Sequence, residues 1–310
     1  MGWNRVDIVF ELKSPLHIGY LPSKDLFIAP TRYYVAGRNL WGAITKRATE
    51  NLFHAPRAEY YQEMGKKIKR NFRFTCFFIY DGNTIYFPKY TQDGLKYGDR
   101  NCINVLEFER RFVDSIILTA IERKTGSAKD ESLHEIEFLK NKYRDRKNNV
   151  KNTKIIGCVW VKDEFSLPSE NGKKKVNIQD VGIFADDFNL ISELTLGGEQ
   201  NYGFGLVELE SIGIGKFTVN DVSDNEGVRI EVEENSHIFF HLEYDKYIPF
   251  EGDIELLSGR RYPQDSSGEC FRNPGRHTVR PWYFFSPGTL IKTGLKCMLM
   301  EDGTARIEKN

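Results

Sequence analysis

The sequence predicts an α+β chain, on three observations: a stripe of strand period near the start, a helical stripe after it, and a succession of apolar runs punctuated by glycine and aspartate turns. Val6, Ile8, Phe10 and Leu12 alternate with Asp7, Val9 and Glu11, the period of two of a half-buried strand, and Pro15 ends it. Residues 19–36, holding Gly19, Pro22 and Pro30, read as a loop. Leu40, Ile44, Ala48 and Leu52 then recur every four residues. They form one face of a helix over 38–53 whose outward residues include Lys46 and Arg47. Strand-like runs at 74–80 and 84–87 flank Asp81-Gly82-Asn83, a hairpin signal. Residues 154–162 give another strand. Phe184, Phe188, Ile191 and Leu194 fall at helical spacing, so 180–196 reads as a second helix stopped by Gly197-Gly198. Residues 204–214 return to strand.

That order, β, α, β-hairpin, insertion, β, α, β, belongs to an elaborated ferredoxin-like (RRM-like) βαββαβ unit, placed over residues 1–215. Residues 216–236 are polar and acidic and hold the boundary. Residues 226–310 supply a smaller, β-rich second domain with the strand-like runs HIFFHLEY, WYFF, TLIK and LKCMLM. Two stretches read as mobile, solvated insertions. One is 140–154, with seven basic residues and one acid; the other is 169–175, an exposed hairpin tip.

Hydrophobic residues make up 40% and charged residues 28%, enough apolar material for a core and too much for a disordered chain. Lys+Arg and Asp+Glu both number 44, which excludes recruitment of nucleic acid by bulk charge and leaves local basic patches. Aromatic residues reach 13%, which favours strands and supplies stacking surfaces. No apolar run approaches the ~18 residues of a membrane span. The first residues carry charge inside their apolar stretch, unlike a signal peptide, so a cytoplasmic protein is expected. Five scattered cysteines without a CxxC pair support neither a zinc ribbon nor a disulfide framework. His237 and His241 lie on one strand face roughly 13 Å apart, too far to share a metal. No metal and no cofactor is therefore expected.

The glycine-rich segment Gly197-Gly198-Glu199-Gln200-Asn201-Tyr202-Gly203-Phe204-Gly205 is not a P-loop, since no GK[ST] follows. It is not a dinucleotide fingerprint either, since it runs from helix to strand. Glycines there let main-chain N–H groups approach a phosphate, with Tyr202 and Phe204 placed to stack on a base. A tight turn that needs glycine sterically explains the same residues equally well. Asp25 is the acid of the long loop before the first helix and the one low-ranked candidate for acid–base chemistry on RNA; a solvated carboxylate is the plainer reading. His17 reads as structural. Asp186-Asp187 read as charges complementing the second helix's dipole. Arg260, Arg261, Arg272, Arg276 and Arg280 crowd the turn-rich stretch 258–282, which suits bidentate phosphate contacts.

Four segments, in order, resemble the RAMP (repeat-associated mysterious protein) superfamily of CRISPR effector proteins. Leu16-His17-Ile18-Gly19 is similar to the family's first-strand exit. Tyr34-Val35-Ala36-Gly37-Arg38-Asn39-Leu40-Trp41-Gly42-Ala43-Ile44 resembles its "Y-I-P-G-S-x-L-K-G-A-L" opening of the first helix, departing at Ala36, Arg38 and Trp41. The segment 120–128 (AIERKTGSA) resembles "I-D-R-x-T-G-x-A", with Glu122 for Asp, and 197–205 matches the late loop "G-G-x-x-x-x-G-F-G". The C-terminal segment, with Gly259-Arg260 and WYFFSPGT from Trp282 to Thr289, looks most like the cap subunit of type III-D effectors, which belongs to the group binding the 5′ tag of the guide RNA.

The resemblance implies a non-catalytic, crRNA-binding subunit of a type III antiviral ribonucleoprotein. It implies Gly37, Arg38, Lys46, Arg47, Arg123, Gly197, Gly198, Gly203, Phe204 and Gly205 at the RNA, with Arg260 and Arg261 beside them. The implied partners are crRNA, a large polymerase/cyclase-like subunit, backbone RAMP subunits and, indirectly, target RNA; no membrane is involved. Two alternatives stand within the family: a backbone-type subunit cleaving target RNA with Asp25, and a crRNA-processing endoribonuclease using His17 or His54.

Overall fold

A computed structural model of the chain describes residues 2–20, 27–128, 132–259 and 280–308. Strand β1 (Trp3–Leu12) leads to β2 (Tyr34–Val35), helices α1 (Gly37–Leu52) and α2 (Ala58–Asn71), and strands β3 (Phe72–Phe74), β4 (Phe77–Tyr80) and β5 (Ile85–Tyr86). Helix α3 (Val105–Phe112) opens the insertion, which continues through β6 (Val113–Leu118), β7 (His134–Leu139), β8 (Lys142–Arg144) and β9 (Val150–Asn152). The chain returns to the main sheet with β10 (Lys154–Lys162), β11 (Glu193–Thr195) and β12 (Leu206–Gly213). That sheet runs β11-β12-β1-β10-β4-β2, with β3 on β10 and β5 on β4, and its neighbours are antiparallel.

A second sheet follows, built from β13 (Asp221–Ser223), β14 (Val228–Val232), β15 (His241–Glu243), β16 (Ile254–Leu257), β17 (Trp282–Phe285), β18 (Leu295–Leu299) and β19 (Thr304–Ile307). Its order is β13-β14-β18-β19-β15-β17-β16, with one parallel pair, β15 and β19.

The alternation in β1 explains how the two sheets meet. Val6, Ile8, Phe10 and Leu12 pack with Leu40, Ile44 and Ala48 of α1, while Trp3 and Val9 join a second core with Trp160, Phe240, Leu242 and Phe285. The strand that the sequence reads as half-buried is thus covered on both faces, by helices on one and by the second sheet on the other. Asp7, on the same face as Val9 and toward the second sheet, is 1% exposed and fully partnered. Its carboxylate accepts from the N–H groups of Lys216 (2.7 Å) and Phe217 (3.0 Å) and from Arg5 (3.2 Å). A buried carboxylate persists only with such compensation.

The strand, first-helix and hairpin expectations agree with the structure, while several others are corrected by it. Residues 180–196 are not a helix but strands at 182–185, 188–189 and 193–195. Ala185 pairs with Phe188, so Asp186-Asp187 is a two-residue hairpin turn, with Asp186 at φ 50°, and not a helix dipole partner. Aspartate tolerates that conformation, and the apolar spacing that mimics a helix comes from residues on successive short strands. The basic stretch 140–154 is an ordered hairpin, β8–β9, held by the ring of Tyr143 against Phe112. The polar boundary 216–236 carries β13 and β14, which extend the second sheet. The loop 19–36 holds a short strand at 28–29 parallel to β7, and β2. Helix α2, absent from the reading, buries Met64, Gly65 and Ile68. Among the described residues no helix is long and apolar enough to cross a membrane.

Candidate functional site

The glycine-rich segment connects β11 to β12, strand to strand rather than helix to strand. It is stitched to the exit of β1. The N–H of Gly198 donates to the His17 carbonyl (2.9 Å), that of Gly205 to the Pro15 carbonyl (2.7 Å), and that of Leu196 to the Gly205 carbonyl (2.9 Å). The main-chain N–H of Leu206 completes the seam on Ser14 Oγ (2.9 Å). Two motifs about 180 residues apart in the sequence therefore form one surface. Beneath it, His17 is 6% exposed. Its Nδ1 donates to the Glu137 carbonyl (2.7 Å), which only accepts, and this fixes the ring.

The glycines differ in what they do. Gly197 (φ 75°) and Gly205 (φ 90°) pass so close to their neighbours that a Cβ would stand 2.1 Å from the His17 carbonyl oxygen and 2.0 Å from that of Leu196. They are turn glycines, required sterically. Gly203 (φ 82°) has open space where a Cβ would point, and a Cβ on Gly198 would meet only the His17 ring, at 3.4 Å. Phe204 is 8% exposed and packs edge-on against Phe138, so it supports the loop from below. Tyr202, 60% exposed, is the ring left free for stacking.

Of the basic residues, Lys46 reaches the loop: its Nζ donates to Gln200 Oε1 at 3.4 Å. Arg47 is committed to the fold, donating to Ser192 Oγ (2.6 Å), lying 3.7 Å from Glu193 and covering the Phe188 ring. Gly37 and Arg38 sit at the other end of α1, about 12 Å away along the axis. There Gly37 abuts Gly303, and Arg38 Nη1 donates to the Ser258 carbonyl. Burial lowers the Arg38 guanidinium from its ordinary value. Arg123 lies on an exposed turn closed by the bridge of Ile121 with Ala128. That turn follows the far ends of β6 and β7, about 17 Å from the Leu139 end that bridges Leu16. The single site expected for these residues is therefore three places: the loop with Lys46, the start of α1, and the arm carrying Arg123. Asp25, Arg260 and Arg261 lie outside the described residues.

At the start of α1 the structure adds a buried network that sequence reasoning missed. Arg32, 1% exposed, pairs with Glu255 through Nε (2.7 Å) and Nη2, and its Nη1 donates to the Gly19 carbonyl. Glu255 Oε2 accepts from the Tyr34 hydroxyl (2.6 Å) and from His241 Nε2 (2.9 Å). Burial by itself raises the Glu255 carboxyl, but the His241 hydrogen bond and the Arg32 charge outweigh it and hold it down at about 2. Burial lowers the His241 imidazole. The signal in the sequence was a lone arginine beside the strand TyrTyrVal, with partners more than 200 residues away. Every polar atom faces another, so the network locks β2 to β15 and β16 rather than presenting a reactive group.

No protein-family profile matches the chain, and no curated protein matches it. Solved structures do. A chain of the Type III-B Cmr-beta, determined by cryo-EM bound to cognate target RNA, matches 93% of this chain over 86% of its own length, with a TM-score of 0.51 and 11% identity. A chain of the same assembly bound to cognate target RNA and AMPPnP, state 1, matches over the same shares with a TM-score of 0.53 and 12% identity. At that identity the likeness is one of fold: this chain has the α+β, strand-dominated fold of a Cmr-beta chain.

Proposed function

We propose that the chain is a non-catalytic, RNA-binding subunit of a type III CRISPR ribonucleoprotein effector, holding the 5′ tag of a guide RNA over its glycine-rich loop. In this reading β12-β1-β10-β4 is the ferredoxin-like sheet of a first domain over 1–215. The second sheet, which begins at Asp221, belongs to the β-rich domain expected over 226–310, and the neighbours are a large polymerase/cyclase-like subunit and backbone subunits along the guide. The observation that carries it is the seam between residues 13–19 and 197–205, with Lys46 beside it, in a fold shared over 93% of the chain with a subunit from a target-RNA-bound Cmr-beta assembly. The N–H groups of Gly198 and Gly203 are taken by the His17 and Gln200 carbonyls, but the missing side chains leave room for an RNA strand to pass over the loop, Lys46 adds charge, and Tyr202 offers a ring to an unpaired base. The test is affinity purification of the tagged chain from a CRISPR-bearing host and sequencing of the RNA that comes with it. Small RNAs sharing one repeat-derived 5′ end are expected. A preparation free of small RNA overturns the reading.

A further inference from the structure

Away from that loop, six cations of this neutral chain line a single cleft. Its walls are the last turns of α3 and the β8–β9 hairpin. Arg110, Arg111, Lys140, Lys142, Arg144 and Arg146 line it, against the carboxylates of Glu107 and Asp145. These acids, with Asp81 at 3.6 Å from Arg111 behind the cleft, offset only part of the charge of the six cations. Asp145 Oδ1 is taken up by the N–H groups of Lys147 (2.9 Å) and Asn149 (2.8 Å), which close the hairpin turn, and Glu107 lies 3.9 Å from Arg146. Arg110 and Lys142 have no ion pair among the described residues.

The cations are held in order by the strand and helix beneath them. Tyr143, 5% exposed, turns inward, so Lys142 and Arg144 turn outward on the same side of β8, about 6.7 Å apart. Arg111 lies over the rings of Tyr143 (4.7 Å) and Phe112 (4.9 Å), with Nη1 on the Tyr86 hydroxyl (2.8 Å) and a buried Nε that has no hydrogen-bond partner among the described residues. Such a row, without an exposed aromatic anchor, suits repeated phosphates better than a protein hot spot. The cleft also adjoins the glycine-rich loop. Lys140 N–H donates to the Phe112 carbonyl (2.8 Å), Asn141 Nδ2 to the Lys13 carbonyl (3.1 Å), and Lys13 N–H to the Leu206 carbonyl (2.9 Å).

We propose that the cleft between α3 and the β8–β9 hairpin is a second phosphodiester-binding surface, which grips the backbone of a single RNA strand running past the glycine-rich loop. The ligand class rests on the function proposed above, but the residues do not, so the two can fail separately.

The experiment is fluorescence anisotropy of a labelled oligouridylate with the full chain, between ~50 and ~200 mM salt. Its arms are the wild type, the triple variant Arg110→Gln/Lys142→Gln/Arg146→Gln, and the loop variant Lys46→Gln/Gly198→Val, with thermal midpoints as folding controls. The triple variant changes exposed side chains only, and should bind more weakly with a log K against log[salt] slope shallower by about 2, about 0.7 per lost phosphate contact. A triple variant that binds like wild type while the loop variant fails overturns the cleft and leaves the proposed function standing. Loss in the triple variant alone supports the cleft and removes the loop from the reading. A wild-type chain that binds no oligouridylate overturns both. Displacement by polyglutamate as effective as by unlabelled RNA at equal charge also overturns the proposal, in favour of an acidic protein partner.

Discussion

Gly303, in the turn between β18 and β19, lies directly on Gly37, the first residue of α1: a Cβ on Gly303 would stand 2.7 Å from the Gly37 Cα. Gly303 also sits at φ 77°. Two demands thus fall on one residue, a left-handed backbone and a main-chain contact joining the second sheet to the helix that reaches the loop.

Gly303→Ala should therefore destabilise the chain by more than the ~1–3 kcal/mol of a strained backbone. Gly82→Ala is the control, since Gly82 (φ 98°) is also left-handed but has nothing within 4 Å of an added Cβ. Urea midpoints of the two variants at unchanged slope measure the difference. Equal losses would mean that the close approach contributes nothing.

The contrast between those two glycines also shows what the sequence could convey. Asp81-Gly82-Asn83 announces a hairpin because its partners, Ile79 with Tyr86, are adjacent in the chain. The first strand and α1 were legible for the same reason: their periodicity is local. Asp302-Gly303 carries a similar turn signal, yet its contact with Gly37 is 266 residues away and leaves no local trace. The same holds for Arg32 with Glu255. The false helix at 180–196 shows the converse, a local pattern produced by residues that reach one core from several short strands. At the loop, the glycines were legible, but not which of them are turn glycines; His17 and Leu196 decide that through their carbonyl oxygens.

Arg32 and Glu255 are 2% and 13% exposed at the side chain, so removing one leaves the other uncompensated. Glu255→Ala should cost about 3–5 kcal/mol, the range for breaking a buried pair. Arg32→Met combined with Glu255→Leu should recover part of the loss: no charge is then stranded, although the Tyr34 hydroxyl and His241 Nε2 still lose their acceptor. The double-mutant cycle in urea reads the coupling directly. A near-zero coupling energy would show the pair to be incidental.

Stability should depend on pH in two windows, through this network and through His237, which is half-buried apart from it on the Tyr90 carbonyl (2.8 Å). His241 and His237 are both held below the ordinary 6.5 by burial, so the unfolded chain takes up their protons first. Stability is full above 6.5 and should decline as pH falls below it. Glu255, held at about 2 against an ordinary 4.5, contributes stability above 4.5 that is lost as pH falls from there toward 2. Urea midpoints across this range should fall in both windows, and His241→Gln/His237→Gln should flatten the upper one. A wild-type midpoint that does not change between about pH 7 and 5 contradicts the buried, neutral histidines.

Within the glycine-rich loop, folding and binding should separate by residue. Alanine at Gly197 or Gly205 must push a methyl group against a carbonyl oxygen at about 2 Å, and each variant should lose stability in urea and detach the loop from residues 13–17. Gly203→Ala meets no atom and costs only its left-handed backbone, about 1 kcal/mol. It should leave the thermal midpoint shifted by no more than a few degrees. Valine there also has its Cβ in open space but is strained further by its β-branch at a left-handed position, so Gly203→Val should melt below Gly203→Ala yet still fold, and, filling the space above the main chain, bind oligouridylate more weakly. Anisotropy and thermal melts on the same preparations separate the two effects. If Gly203→Val binds RNA as wild type does while Gly205→Ala is destabilised, the loop is a structural turn, and RNA, where it binds, is held elsewhere on the chain.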